Sequence, residues 1–431
     1  MNTTTKPTIV PEGVAESATT NGDGLLARVA RKALLERLSR LRDGEIRLND
    51  SAGSLRFGAR TARCGLSATL TIHDPAFYSL AAFGGTVGAG ESYINGHWRC
   101  DDLTALVRIM VLNRSVMEDM ERGIAARSTA LLRRLLHWAN RNSRSGSARN
   151  IAAHYDLGND LYRLMLDDTM AYSCGIFLHD EATLQEASVA KFDAVCRKLA
   201  LTPSDHLVEI GTGWGGLAIH AAEQYGCRVT TTTISREQHD FAQQKIAARG
   251  LSDRITLLFK DYRDLTGQFD KLVSIEMIEA VGAKYLETYF AKCSSLLKPT
   301  GAMLLQAITL QDQFYARALK SVDYIQRFVF PGSFIPSVTA ISTAVARVTD
   351  MKLFNMEDIG PHYAPTLRMW RERFFQNIGK VRALGYPESF NRLWEFYLCY
   401  CEGGFLEHAI SDAQLLLAAP GNARPQYLPG L

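Results

Sequence analysis

Leu207-Val208-Glu209-Ile210-Gly211-Thr212-Gly213-Trp214-Gly215-Gly216 decides the fold of this chain. The apolar lead-in reads as a buried parallel strand, the glycines as a turn, and Leu217 to Tyr225 as the helix that follows. A strand, a glycine turn and a helix start let backbone approach a ligand where no Cβ intrudes, at the carboxyl end of a sheet. The spacing Gly211-x-Gly213-x-Gly215 is not the Gly-x-Gly-x-x-Gly of dinucleotide sites, and no lysine follows as in a phosphate-binding loop. A pyrophosphate ligand is therefore disfavoured. Glu209, two residues before the first glycine, points to S-adenosylmethionine, whose ammonium group a carboxylate there can meet. A glycine-rich turn in another α/β protein stays open as the alternative at this stage.

Outward from this turn, strands and helices alternate. A helix over Glu181 to Leu199 precedes the opening strand. Then come strand Arg228 to Thr233, helix Ser235 to Arg249, strands Ile255 to Phe259 and Lys271 to Ile275, helix Lys284 to Leu297, and strand Ala302 to Ala307. Such alternation specifies an α/β, doubly wound, mostly parallel sheet whose loops converge on one crevice. The second strand ends Thr233-Ile234-Ser235 without the acidic residue that commonly holds ribose hydroxyls, and Gln238 can supply that bond instead. Tyr262 and Arg263, after the third strand, can clasp an adenine. Each of these, taken alone, equally fits an ordinary loop.

The 431 residues suffice for two domains, and 47% hydrophobic content supports a full core. A net charge of +3 gives no global field for nucleic acid. The chain divides into a disordered tail (1–23), an N-terminal accessory domain (24–139), a Ser/Arg/Asn linker (140–150) and the domain built on the glycine turn (151–431). In the accessory domain, Glu45 to Ile72 reads as short antiparallel strands. Asp74 to Ala82 and Leu103 to Asn113 read as helices flanking Gly90-Glu91-Ser92-Tyr93-Ile94-Asn95-Gly96-His97-Trp98. Two basic amphipathic segments, Gly24 to Arg42 and Glu121 to Asn150, either lie on an anionic membrane surface or pack their apolar faces on a neighbouring domain. Eight cysteines without Cys-x-x-Cys or zinc spacing read as reduced cytosolic thiols, and no metal is implied. No stretch reaches the ~20 apolar residues of a membrane span, so a cytoplasmic protein, peripheral at the inner face of the membrane, is expected.

Assembled, the phrases His154-Tyr155-Asp156-Leu157-Gly158-Asn159, Tyr172-Ser173-Cys174-Gly175, Glu209 to Gly215, Thr233 to Gln238, Glu276-Met277-Ile278-Glu279-Ala280-Val281-Gly282, Phe330-Pro331-Gly332-Ser333 and Cys401-Glu402-Gly403-Gly404-Phe405 resemble the cyclopropane-fatty-acyl-phospholipid synthase family of S-adenosylmethionine-dependent lipid methyltransferases. The resemblance runs from about residue 90 to 410. It implies methylene transfer to the cis double bond of an unsaturated acyl chain on a membrane phospholipid. It also implies a cofactor site on Tyr172, Ser173, Glu209, Gly211, Thr212, Gly213, Trp214, Gly215, Thr233, Ser235, Gln238, Tyr262 and Arg263. By resemblance a bound bicarbonate is the base, held by Cys174, Glu279, Gln306, Tyr363 and the amide of Ile308. Cys401 matches a cysteine that lines the family's site, and a homodimer is compatible with the family pattern. Gln306 stands where many members carry histidine; a glutamine donates to an anion but relays no proton.

The reaction itself makes demands that need no resemblance. An alkene attacks a sulfonium methyl only when held in line with it in a dry site, and the cation so formed must lose a proton before water traps it. Aromatic faces steady a cation without attacking it, and Tyr172, Tyr324, Phe328, Tyr363, Trp370 and Phe374 are candidates for that lining. Glu279 is the expected key carboxylate. Three alternatives stay open: a methyltransferase leaving a methylene- or methyl-branched chain, a non-catalytic lipid-binding protein with a relict pocket, and a soluble small-molecule N- or O-methyltransferase.

Overall fold

The computed structural model describes residues 23–114 and 157–423. The expected tail (1–22 of it), the linker, the second basic segment and His154 to Asp156 lie outside these. The accessory part comprises helix α1 (Asp23–Leu38), strands β1 (Gly44–Asp50), β2 (Gly53–Ala59) and β3 (Ser67–Ile72), helix α2 (Ala76–Ile94), strand β4 (Trp98–Cys100) and helix α3 (Leu103–Leu112). Its sheet runs β2-β1-β3-β4. The β1–β2 hairpin is antiparallel as expected, but β3 lies parallel to β1. Residues 60–66 carry the chain across β1, so that Ala68 and Leu70 enter the same core as Ile46 and Leu48.

One helix differs from expectation, and for another an open choice is decided. Helix α2 does not stop near Ala82 but runs to Ile94, broken only at Gly85, whose φ of 58° and ψ of −143° no helix contains. The later glycines serve packing: a Cβ on Gly90 would sit 2.4 Å from the Tyr324 ring. The first basic helix takes the packed alternative. Its Ala30, Leu34 and Leu38 are buried in the accessory core, Arg31 pairs with Asp50 at 2.7 Å, and Arg37 donates to the Ala82 carbonyl at 2.9 Å. The buried part of its apolar face is therefore taken up by the accessory core, while Val29 stays exposed.

The larger part follows with α4 (Asn159–Met165) and α5 (Leu184–Leu199), β5 (His206–Ile210), α6 (Gly216–Gln224), β6 (Arg228–Thr233), α7 (Arg236–Ala248), β7 (Ile255–Phe259), β8 (Phe269–Ile275), α8 (Leu286–Leu296) and β9 (Leu297–Leu310). It closes with α9 (Asp312–Ala318), α10 (Val338–Val348), β10 (Lys352–Asp358), α11 (Tyr363–Gln376), α12 (Ile378–Ala383), α13 (Glu388–Leu406) and β11 (Ile410–Ala418). Thr183 starts α5 through a capping box with Glu186, later than Glu181, because only there do side chain and backbone satisfy each other. The sheet order is β10-β11-β9-β8-β5-β6-β7; β5 to β9 are parallel, and β10 and β11 are antiparallel additions. Because β5 neighbours both β6 and β8, the winding reverses beside it, and the crevice opens at the carboxyl ends of β5 and β8. The two parts meet along α13. Tyr93 donates to Glu395 at 2.6 Å, Thr104 to Glu402 at 3.0 Å, and Arg108 to Glu407 at 2.6 Å.

Candidate functional site

The turn after β5 is built from left-handed glycines: Gly211 (φ 100°), Gly213 (φ 52°) and Gly215 (φ 86°). The amides of Gly211 and Thr212 are tied to the Thr232 carbonyl at 3.1 and 2.9 Å, which fixes the loop to β6. A Cβ on Gly213 would meet nothing within 4 Å, so this glycine leaves open space over the crevice. Gly215 instead caps α6 and faces Ala242, while Ser235 caps α7 through the Gln238 amide. These two shape the site without lining it, unlike the expectation. The other eleven expected cofactor residues line one cavity of about 970 Å³. Their second contacts hold them in place. Trp214 donates to Asn159 at 2.7 Å, Thr233 donates to Gln238 at 2.9 Å, and Arg263 grips Asp261 at 2.8 and 2.6 Å. Glu209 lies buried at the base, accepts from Thr231 at 2.5 Å, and is pushed by burial up to about 7. A cation brought beside it would restore its charge, so the residues fit a ligand with an ammonium group near the glycine turn.

Sequence reasoning missed Lys191. Fully buried on α5, it donates to Ser173 at 2.8 Å and lines the cavity; burial lowers its pKa. A single lysine inside an amphipathic helix carries no signal that distinguishes it from a solvated one.

The larger difference lies across the crevice. Glu276, at the end of β8, has a left-handed φ of 46° and turns its carboxylate into the donor set expected to hold bicarbonate. Its Oε1 accepts from the Cys174 amide and from Gln306 Nε2, both at 2.8 Å; its Oε2 accepts from the Tyr363 phenol at 2.5 Å. The remaining expected donor, the Ile308 amide, goes to Glu279 Oε1 at 2.7 Å. Two side-chain carboxylates thus engage every group assigned to the anion, and the residues do not fit a bound bicarbonate. Glu279 keeps Oε2 buried without a partner, and burial together with Glu276's charge pushes its carboxyl up to about 8.

A third carboxyl, also missed, completes the cluster. Asp412 on β11 lies fully buried, accepts from Gln306 Nε2 at 2.9 Å and leaves Oδ1 unpartnered; burial and Glu276 raise its pKa well above the usual range. Gln306 Oε1 accepts from Gln414 at 2.9 Å, and Gln414 in turn accepts from Lys198 at 2.6 Å. Gln306 is therefore held at every polar atom, a fixed bracket between Glu276 and Asp412. The Cys174 sulfur turns to the Gly175 and Ile359 carbonyls, and burial raises its pKa, so its amide is the functional group.

Of the expected aromatic wall, Tyr172 and Tyr363 line the cavity; Tyr324, Phe328, Trp370 and Phe374 do not. Trp370 packs behind Tyr172 (ring centroids 4.9 Å apart), Tyr324 behind Phe396 (4.6 Å), and Phe374 is wholly core. Phe330, Phe396, Tyr397, Tyr400 and Phe405 take their places, with Tyr397 and Tyr172 sharing a hydrogen bond of 2.9 Å. Cys401 lines the same cavity, and burial raises its pKa, so it meets a ligand as an apolar wall.

The mycolic acid cyclopropane synthetase family model matches residues 142–415. A tuberculostearic acid methyltransferase of Mycobacterium tuberculosis is 38% identical over 78% of this chain and 80% of its own length. The cyclopropane-fatty-acyl-phospholipid synthase of Escherichia coli is 36% identical over 81% of this chain and 88% of its own. The structure of the mycolic acid cyclopropane synthase CmaA1 complexed with SAH and CTAB superposes with a TM-score of 0.58 at 31% identity, covering 63% of this chain and 98% of that one. With the sheet order, the glycine turn and these matches in agreement, the chain belongs to the mycolic acid cyclopropane synthetase family and is an S-adenosylmethionine-dependent methyltransferase.

Proposed function

We propose that this methyltransferase alkylates the cis double bond of an unsaturated phospholipid acyl chain at the membrane surface, with Glu276 as the proton acceptor. The observation that carries this reading is the Glu276 carboxylate, held by three donors inside an apolar, aromatic-walled cavity. S-adenosylmethionine supplies an electrophilic methyl there. The Gly213 gap and the Glu209 carboxyl position the donor, Tyr172, Tyr397 and Phe405 face the cation left on the acyl chain, and the apolar wall excludes water. Glu276 takes the proton that the new methyl must lose. A base supplied by the side chain removes the need for bicarbonate. Relatives of both kinds support a lipid substrate, being named for tuberculostearic acid and for fatty-acyl phospholipid.

Loss of the proton while the cation adjoins the new methyl closes a cyclopropane, the product for which the family and the Escherichia coli relative are named. One observation favours a second reading, a methylene branch. Three donors already hold the Glu276 carboxylate, which leaves a single lone pair, on Oε2, to meet the methyl proton and so slows the transfer. That delay lets hydride migrate to give the tertiary cation first, and proton loss from the methyl then leaves an exocyclic methylene. Purified protein incubated with S-adenosylmethionine and dioleoyl-phosphatidylglycerol vesicles decides between them. Upfield cyclopropane protons in the NMR spectrum of the released acyl chains support ring closure, exocyclic olefinic protons support the branch, and absence of any one-carbon mass gain refutes the proposed function.

A further inference from the structure

The cavity that holds Glu276 does not end in the methyltransferase part. Its wall continues past Cys401 and Gly404 on α13 into the accessory part, along Ala81, Gly85 and Ala89 of α2 and Leu106, Val107 and Met110 of α3. Gly85 lies in this wall with the dihedrals that break α2, so the helix departs from its axis where it borders the space. These walls are almost wholly apolar, and water there would find few hydrogen-bond partners, whereas a hydrocarbon would lose nothing by entering. The family model begins at residue 142, so this arm is formed by elements that lie outside it.

Between these two regions the wall carries Arg114, Arg317 and Lys320, with the Asp323 carboxylate beside them. Arg114, two residues beyond α3, lays its guanidinium 3.4 Å from the centroid of the Phe314 ring on α9, which joins the end of α3 to the helix bearing Arg317. From this junction one arm leads along Leu310 and Ile308 of β9 to Glu276, and the other along Met110 and Leu106 into the accessory part. An apolar cavity that reaches Glu276 in one part and the accessory helices in the other, with cations between them, matches a diacyl lipid: two hydrocarbon chains leaving one anionic phosphate. The phosphate cannot enter either arm without losing its hydration.

We propose that the accessory arm binds the non-reacting acyl chain of a diacyl phospholipid, with the lipid phosphate among Arg114, Arg317 and Lys320, while the reacting chain lies against Glu276. This rests on the lipid reading above and deepens it by placing the second acyl chain and the phosphate. The accessory part then acts as a selectivity element, engaging whole phospholipid in preference to single-chain lipids.

The test compares dioleoyl-phosphatidylglycerol with 1-oleoyl-lysophosphatidylglycerol in the same mixed detergent micelles, using the full chain and its Ala89→Phe and Thr86→Phe variants; both residues line the arm on α2, so either substitution narrows it. Wild type should show a KM at least about tenfold lower for the diacyl lipid, and narrowing should abolish that ratio while lysolipid turnover stays within about twofold of wild type. Two variants are used so that loss of folding in one, read from its Tm, leaves the other to decide. Equal KM values for the two lipids in wild type, or a fall of both activities in the same proportion in a folded variant, overturns the proposal. Wild type that transfers no methyl to either lipid refutes the proposed function itself, and the accessory-arm reading falls with it.

Discussion

Tyr363 donates its phenol to Glu276 at 2.5 Å, so the residue first read as an anion ligand serves a carboxylate belonging to the chain itself. Glu276→Gln keeps shape but replaces an acceptor oxygen by an amide nitrogen facing donors. It should cut turnover by two or more orders of magnitude with S-adenosylhomocysteine affinity within about threefold of wild type, measured by calorimetry. Glu276→Ala should empty the seat while leaving the Cys174, Gln306 and Tyr363 donors in place. Added formate or bicarbonate should then restore part of the activity in a concentration-dependent way. A Glu276→Gln enzyme as fast as wild type refutes the assignment.

Glu279, the carboxylate favoured from sequence, is expected to act differently. Burial pushes its carboxyl up to about 8 from an ordinary 4.5, so between those pH values the folded protein retains a proton that the unfolded chain has released. Stability therefore falls as pH rises through that window and levels off above it. Glu279→Gln cannot ionise and should remove part of this slope, with a Tm a few degrees above wild type at pH 9 and close to it at pH 5. Activity should fall less than about tenfold, against the far larger loss at position 276. An unchanged pH slope would mean that Glu279 is ionised in the fold at no cost.

How far the sequence carried can be seen at these two carboxylates. Glu276 and Glu279 stand three apart in one quoted phrase, and nothing in the phrase distinguishes them. The distinction comes from the left-handed backbone at Glu276, which only the packed end of β8 imposes. Asp412 was out of reach for another reason: it meets the site because β11 pairs antiparallel with β9, placing it opposite Ile308 and Gln414 opposite Gln306. Pairing between segments a hundred residues apart leaves no local periodicity. The parallel sheet was legible because buried strands and glycine turns write their pattern within a few residues. The aromatic wall was legible only in part, since Tyr363 and Trp370 read alike until α11 turns one ring to the cavity and the other to the core.

Gly213 separates a ligand effect from a folding effect. Its φ of 52° costs an alanine about 1 kcal/mol, and the new methyl would stand in the open space over the crevice. Gly213→Ala should weaken S-adenosylhomocysteine binding about tenfold or more by calorimetry while lowering Tm by only a few degrees. Unaltered affinity would show that the cofactor does not lie over this glycine.

Gln306→His tests whether the bracket tolerates the residue that the family resemblance led one to expect there. An imidazole can donate to Glu276 or to Asp412, but it cannot donate to both from one nitrogen and also accept from Gln414, as the amide does. The substitution leaves at least one buried polar group unpaired, which costs on the order of 1–3 kcal/mol. It should also release Glu276 Oε1 from one of its two donors. Turnover should drop about tenfold to a hundredfold, and the ratio of cyclopropane to methylene product should rise, because a less encumbered carboxylate takes the proton before hydride migrates. A Gln306→His enzyme with wild-type Tm, turnover and product ratio would show that the bracket has no part in the reaction. A double variant with Asp412→Asn extends the test: if both residues act through Glu276, the two losses should be less than additive in free energy.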